Sequence, residues 1–186
     1  MIYKSLFKRK ILKKYWTFFC VSKYTFNLNY TFINSFYSKT CFTDVFLLIL
    51  SLRRLIPFFL SLLKNNDSLL FIGSQFLYAR SLSKAKIVAH VLNNRNPGIF
   101  SNFSITGLYS IDNISLKFLP KIIFFFYLGK HTLLLQEAKN KNLPVVALTN
   151  IKENICLVDY PIPVDSDRFS NTYFFSVFFF RFLQFS

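Results

Sequence analysis

Residues 121–149, KIIFFFYLGKHTLLLQEAKNKNLPVVALT, decide the fold class. Lys121–Phe126 is apolar at consecutive positions after its lysine, the pattern of a strand buried on both faces. Lys130–Lys141 reads as a helix, and Pro144 introduces a second continuous apolar strand, Val145–Thr149. Strand, helix and strand in this order predict a parallel pair joined by a right-handed crossover.

Working upstream, Ser68–Ile72 is another interior strand, stopped by Gly73, and a helix is expected over Phe76–Leu92. Its residues Leu77, Leu82, Ala85, Val88, Ala89 and Leu92 are available to the sheet, with Arg80, Lys84 and Lys86 outside. Before it, Asp44 caps a buried helix running to Leu63 and ended by Asn65, Asn66 and Asp67. Arg53 and Arg54 in that helix need an exit to solvent or RNA. Downstream of Leu92, Asn93–Gly98 breaks the pattern, and the chain up to Lys117 reads as loop or short helix. Val158–Ile162 is a short extended piece, after which Asp165, Ser166 and Asp167 cap a final helix from Arg168. No internal repeat and no Pro- or Gly-rich linker divides the chain. The expectation is one three-layer α/β/α domain over residues 41–186 with a parallel sheet covered on both faces, preceded by a basic N-terminal extension, residues 1–40.

Composition narrows the partners. Phe occurs 26 times, Tyr 10 and Gly 4 among 186 residues. Phe, Tyr, Ile, Lys and Asn are the residues of AT-rich codons, which points to a mitochondrial or plastid genome. Lys and Arg number 23 against 8 acids, a net charge of +15. Such an excess favours a polyanion, because each phosphate neutralised releases condensed counterions; RNA, DNA and anionic lipid all qualify. AT-rich coding by itself inflates Lys, but it also supplies neutral Asn.

Three apolar stretches raise the membrane question: Val45–Leu63, Ile122–Leu135 and Tyr173–Phe185. A helical span needs about 20 predominantly apolar residues. The first stretch is broken by Arg53, Arg54 and Pro57, the second carries Lys130 and His131, and the third contains Arg181 and is short. Membrane insertion is therefore not expected, and a membrane-associated organelle protein using its Phe-rich segments stands as the rival reading. No acid precedes Asp44, while Lys4, Lys8, Arg9, Lys10, Lys13 and Lys14 cluster at the start. That is the charge pattern of a mitochondrial presequence. It is equally that of a basic arm, which is favoured if the gene lies inside the organelle.

Catalytic chemistry finds little support. Cys20, Cys41 and Cys156 lack the spacing of a zinc site or a disulfide framework, and His90 and His131 are isolated. The loop Gly73-Ser74-Gln75 offers one glycine where a dinucleotide site needs several. Asp165 and Asp167 alone make a poor cation site and a good helix cap. No catalytic residue, metal ligand or cofactor is expected. What remains is a basic surface interleaved with aromatics, suited to phosphates and unpaired bases. Its candidates are Lys8, Arg9, Lys10, Lys13, Lys14, Arg53, Arg54, Arg80, Lys84 and Arg95.

The segment Leu69–Ser170 resembles the small-subunit ribosomal protein S2 family. Leu70-Phe71-Ile72-Gly73-Ser74 is similar to that family's strand ending in Phe-Val-Gly-Thr. Pro97-Gly98 with Ser101-Asn102-Phe103 resembles its Gly-x-x-Thr-Asn-Phe loop. Leu119-Pro120, Gln136-Glu137-Ala138, Leu143-Pro144-Val145-Val146-Ala147, Val158-Asp159-Tyr160, Ile162-Pro163 and Asp167 then follow its order and spacing. Departures are visible: the family's Arg-Trp pair is Asn94-Arg95, its Asp-Thr-Asn is Asn150-Ile151-Lys152, and its Asn-Asp-Asp is Asp165-Ser166-Asp167. Only Ser104–Phe118 stands where bacterial members insert a helical hairpin, and the N-terminal Gly-His and Trp-Asn-Pro motifs are not recognisable. Both losses look like an abbreviated mitochondrial version, with a plastid the less favoured home. The resemblance implies a flavodoxin-like fold and a structural, non-catalytic role in the small subunit, among ribosomal RNA and neighbouring ribosomal proteins. It also implies that the loops Gly98–Phe103 and Asn150–Asn154 fit such neighbours, which adds Asn102 to the RNA-binding candidates.

Overall fold

A computed structural model of the chain describes residues 22–23, 33–37, 40–65, 67–73, 89–92, 98, 100–101, 109–111, 114–116, 120–129, 131–150 and 152–185. The chain begins with β1 (Ser22–Lys23), β2 (Ile33–Tyr37) and β3 (Thr40–Thr43), a small antiparallel sheet with β3 in the middle. Tyr37 pairs with Thr40 and Phe36 with Cys41. The sequence had offered no element for this stretch, which lacks a clean period.

Helix α1 (Val45–Lys64) starts where expected. Asp44 keeps an extended backbone and its carboxylate accepts the Phe46 N–H at 2.8 Å, satisfying one of the amides a helix start leaves open. Asn65 closes the other end. Leu48, Leu52, Leu55, Phe59 and Leu62 recur at helical spacing and are buried in one core cluster, while Arg53, Arg54 and Pro57 lie on the exposed side. By length and composition this 20-residue helix is apolar enough to cross a membrane. The expectation from its charges and proline was the opposite, but two adjacent arginines leave the mean hydropathy high.

The main sheet contains β4 (Leu69–Ile72), β5 (Ala89–Leu92), β8 (Ile122–Phe125), β9 (Val145–Thr149) and β10 (Tyr160–Pro163) in the order β10-β9-β8-β4-β5. Every pairing within it is parallel. Numbered among themselves from β4, these strands lie 2-1-3-4-5, the flavodoxin-like order of doubly wound folds. Alternation then sorts the core by face. Leu69, Phe71, Ile122, Phe124, Val146, Leu148 and Ile162 meet α1 and the last helix, α3 (Phe169–Phe185). Leu70, Ile72, Ile123, Phe125, Val145 and Ala147 meet Leu134, Leu135 and Ala138 of α2 (Thr132–Asn140), together with Phe100. The two clusters are the two sides of a three-layer α/β fold, as the continuous apolar strands predict.

Helix α2 is capped at Lys141, and the next residue, Asn142, takes a φ of 53° that turns the chain so that the Leu143 N–H reaches the Ala138 carbonyl. That reversal delivers Pro144 and then β9. At the sheet edge, β10 carries Pro161 and Pro163, residues that suit an edge because they cannot extend a ladder with a further strand.

Two elements differ from expectation. Ala89–Leu92 is strand β5, paired with Leu69–Ile72, and not the last turn of a helix. Ile87-Val88-Ala89-His90-Val91-Leu92 is rich in β-branched residues, and the open side of β4 supplies a partner that local sequence cannot reveal. The rest of that expected helix, residues 76–88, lies outside the described residues. Secondly, β6 (Tyr109–Ile111) and β7 (Ile114–Leu116) pair antiparallel inside the stretch read as loop or short helix. Asp112-Asn113 between two short alternating runs is a hairpin signal that went unread.

Candidate functional site

Doubly wound sheets bind ligands beyond the carboxyl ends of their strands. In this chain that edge is laced together by its own side chains. Asn150, directly after β9, is 2% exposed and donates from Nδ2 to Asp165 Oδ1 at 3.0 Å and to Asp167 Oδ2 at 2.8 Å. Asn171 of α3 donates to the Asp165 carbonyl, and Arg168 pairs with the Asp165 carboxylate at 3.4 Å. Glu153 accepts the Asn150 N–H at 2.7 Å and the Ser166 hydroxyl at 3.3 Å, and it also takes a backbone hydrogen bond from Gly129. One carboxylate thus ties the loops that follow β8, β9 and β10.

The electrostatics follow from this crowding. Burial pushes the Glu153 carboxyl up to about 7, the Asn150 amide opposes that, and the nearby Asp167 charge adds to it. Asp165 is raised as well, first by burial, with the Asp167 amide and carboxylate acting in opposite directions. The expected cap role of Asp165 is seen in part: its Oδ1 accepts the Asp167 N–H at 3.3 Å, just before α3. Asp167 joins the Asn150 network. Among the described residues no group of three His, Cys, Asp or Glu side chains has the arrangement of a metal site. His131, also near this edge, is buried at the start of α2 with its ring 6.1 Å from Phe125, and Gly73 (φ 78°) passes beside it.

A second construction holds the loop at residues 98–101. Glu137 of α2 turns its carboxylate to the backbone: Gly98 N–H donates to Oε1, and the N–H groups of Phe100 and Ser101 donate to Oε2 at 3.0 and 3.4 Å. Phe100 is 1% exposed and plugs the core beneath, while Ser101 is exposed. The loop that leads into Asn102 is therefore fixed from two sides. Glu137, Glu153 and Asn171 were not picked out as interacting residues from sequence, because each finds its partners 13 or more positions away or across a turn whose course is set by the sheet.

Of the RNA-binding candidates, the structure places Arg53 and Arg54, both exposed on α1 and in no ion pair among the described residues. Lys8, Arg9, Lys10, Lys13, Lys14, Arg80, Lys84, Arg95 and Asn102 lie outside the described residues. The acids behave differently from the cations. Asp44 caps α1, Asp67 meets Lys121 at 2.6 Å, and Asp159 holds Lys139 and the Val145 N–H. With Glu137, Glu153, Asp165 and Asp167, all seven described acids are engaged inside the domain.

The comparisons with known proteins bear on this arrangement. The family model for ribosomal protein S2 matches residues 102–179, the span from the Asn-Phe loop through β8, α2, β9 and β10 into α3. No curated protein matches the chain. This match covers the motifs from Asn102-Phe103 to Asp167, and the strand order is the flavodoxin-like one. Over residues 102–179 the chain is similar to the ribosomal protein S2 family, a family of structural proteins of the small ribosomal subunit and not of enzymes.

Proposed function

We propose that this chain is a structural constituent of the mitochondrial small ribosomal subunit that binds its ribosomal RNA and adjoining proteins. The observation that carries the reading is the division of charge. The described acids are engaged in caps, loops, ion pairs and the sheet edge, whereas Arg53, Arg54, Lys64, Lys141, Lys152 and Arg181 are exposed and in no ion pair among the described residues. With a net charge of +15, the outer surface is left for phosphate. The loop fixed by Glu137 leads directly to Asn102, a further RNA contact in this reading, as are the cations of the N-terminal extension and Arg80, Lys84 and Arg95. The mitochondrial assignment rests on the AT-rich composition and the shortened segment Ser104–Phe118.

The test is sedimentation of the tagged chain in a mitochondrial lysate. It is expected to travel with the small subunit and to leave it at high salt. Helix α1 favours one rival, a membrane-bound protein, because of its length and apolarity. Retention in the membrane pellet after alkaline carbonate washing, with none on ribosomes, would overturn the ribosomal reading.

A further inference from the structure

A cavity of about 180 Å³ lies between α1 and the edge strand β10. Leu47 and Leu50 of α1 and Pro161 and Pro163 of β10 give it apolar walls. Sites that enclose a drug-sized ligand or a cofactor run to about 300–1,000 Å³, so this one has room for a single flat ring and not for a dinucleotide. Tyr160 also lines it, and that ring is braced: it stacks on Phe58 with centroids 5.3 Å apart and planes 29° from parallel. An aromatic wall already held in place loses little freedom when a second ring is laid against it.

The charges at the cavity select what that ring is attached to. Arg54 lines the cavity, is exposed, and is in no ion pair among the described residues, and no acid occurs along α1. The one acid in the lining, Asp159, is already answered, because its carboxylate accepts Lys139 Nζ at 3.2 Å and the Val145 N–H at 2.9 Å. The balance is an unpaired guanidinium beside an apolar slot, with Arg53 next to it on the helix. A nucleotide matches both parts, since its base is a flat ring and its phosphate an anion one sugar away. An apolar side chain from a protein neighbour fills the slot but leaves Arg54 unanswered. The polar lining atoms then sort the bases. The Ser51 hydroxyl donates to the Leu48 carbonyl at 2.8 Å, so toward a ligand it offers an acceptor, as does Asp159. Acceptors favour a base with an exocyclic amine, such as cytosine, over uracil, which has none.

We propose that the cavity between α1 and β10 receives one unpaired nucleotide of the RNA, its base against Tyr160 and its phosphate on Arg54, with a preference for a base that carries an exocyclic amine. The proposal rests on the RNA-binding reading above. It adds to that reading one pocket that takes a base, on a surface that otherwise meets phosphates.

The test measures binding of the full-length chain to three fluorescent single-stranded RNA octamers of equal charge: oligo(C), oligo(U) and an abasic strand. Wild type is expected to bind oligo(C) about fivefold or more tightly than the abasic strand, the low end of what stacking one base contributes, and more tightly than oligo(U). Leu50→Trp, at a half-buried position, fills the cavity and should abolish the preference for oligo(C) while affinity for the abasic strand stays within about twofold. Tyr160→Leu, which removes the ring, should do the same. The wild-type comparison requires no substitution, so the proposal stays open to refutation even if a variant unfolds. Equal wild-type affinity for oligo(C) and the abasic strand overturns the pocket alone, as does binding of oligo(U) at least as tight as that of oligo(C). So does a folded Leu50→Trp chain that keeps the preference. If wild type binds neither the octamers nor a small-subunit RNA fragment, the RNA-binding reading falls first and this proposal with it.

Discussion

On the resemblance to the S2 family, Asn150 and Asp165 occupy two positions of departure: Asn150 stands where the resembled motif has Asp, and Asp165 where it has Asn. The structure joins the two departures, because the Asn150 amide donates to the Asp165 carboxylate at 3.0 Å. Asn150→Asp alone sets carboxylates against each other and is expected to cost about 2–4 kcal/mol in urea unfolding. Asp165→Asn alone removes an acceptor, at a cost of about 1–2 kcal/mol. The double variant restores a donor and an acceptor between these two positions but leaves a carboxylate facing Asp167, so it should stay below wild type while a double-mutant cycle shows coupling of about 1–3 kcal/mol; additivity would refute the direct bond. Glu153 gives a pH prediction. Its folded pKa, about 7, lies above the ordinary value of 4.5, so between those limits the folded state holds a proton that the unfolded chain has lost. Stability from this group therefore falls as pH rises from about 4.5 to about 7. Thermal melts of wild type should show that fall, and in Glu153→Gln this part of it should be missing.

Among the elements, α1 was the most readable, since Asp44, an apolar run and Asn65 mark its start, body and end. Asp44→Ala should destabilise the protein by about 1 kcal/mol through the unmet Phe46 amide, measurable by chemical denaturation. Leu55→Ala, at 1% exposure on the buried face, should cost about 2–5 kcal/mol. The loop at residues 98–101 was legible only as a motif. The carboxylate that holds it sits on another element, 36 to 39 positions away. In Glu137→Ala, amide exchange at Phe100 and Ser101 is expected to speed up at least tenfold while the strands of the main sheet keep their protection, which separates a loop clamp from a general loss of stability. Strand β5 shows the reverse limit, because its four residues belong to the sheet only through a partner strand 20 positions earlier.

At the scale of the whole molecule, the division of charge predicts how binding responds to salt. Affinity for a small-subunit RNA fragment should fall steeply with salt concentration, and Arg53→Ala/Arg54→Ala should make the log–log slope shallower by about 1.5–2, the contribution of two phosphate contacts. An unchanged slope would remove α1 from the RNA-binding surface. The pair can be changed with little risk to the fold, since both side chains are exposed and in no ion pair among the described residues.

Sequence alone determined that β4, β8 and β9 are interior strands, because four or five consecutive apolar residues leave no polar face to expose. It determined the ends of α1, where a capping acid and a polar stop act on their immediate neighbours. It also determined the net charge of +15, because net charge is a sum that needs no geometry. Tertiary structure decided the rest: the order 2-1-3-4-5, the recruitment of Ala89–Leu92 as an edge strand, and the convergence of Glu153, Asn150 and Asp165 at one end of the sheet. These rest on hydrogen bonds between residues distant along the chain or separated by a turn. Local propensity carries no record of such partners until the sheet has brought them together.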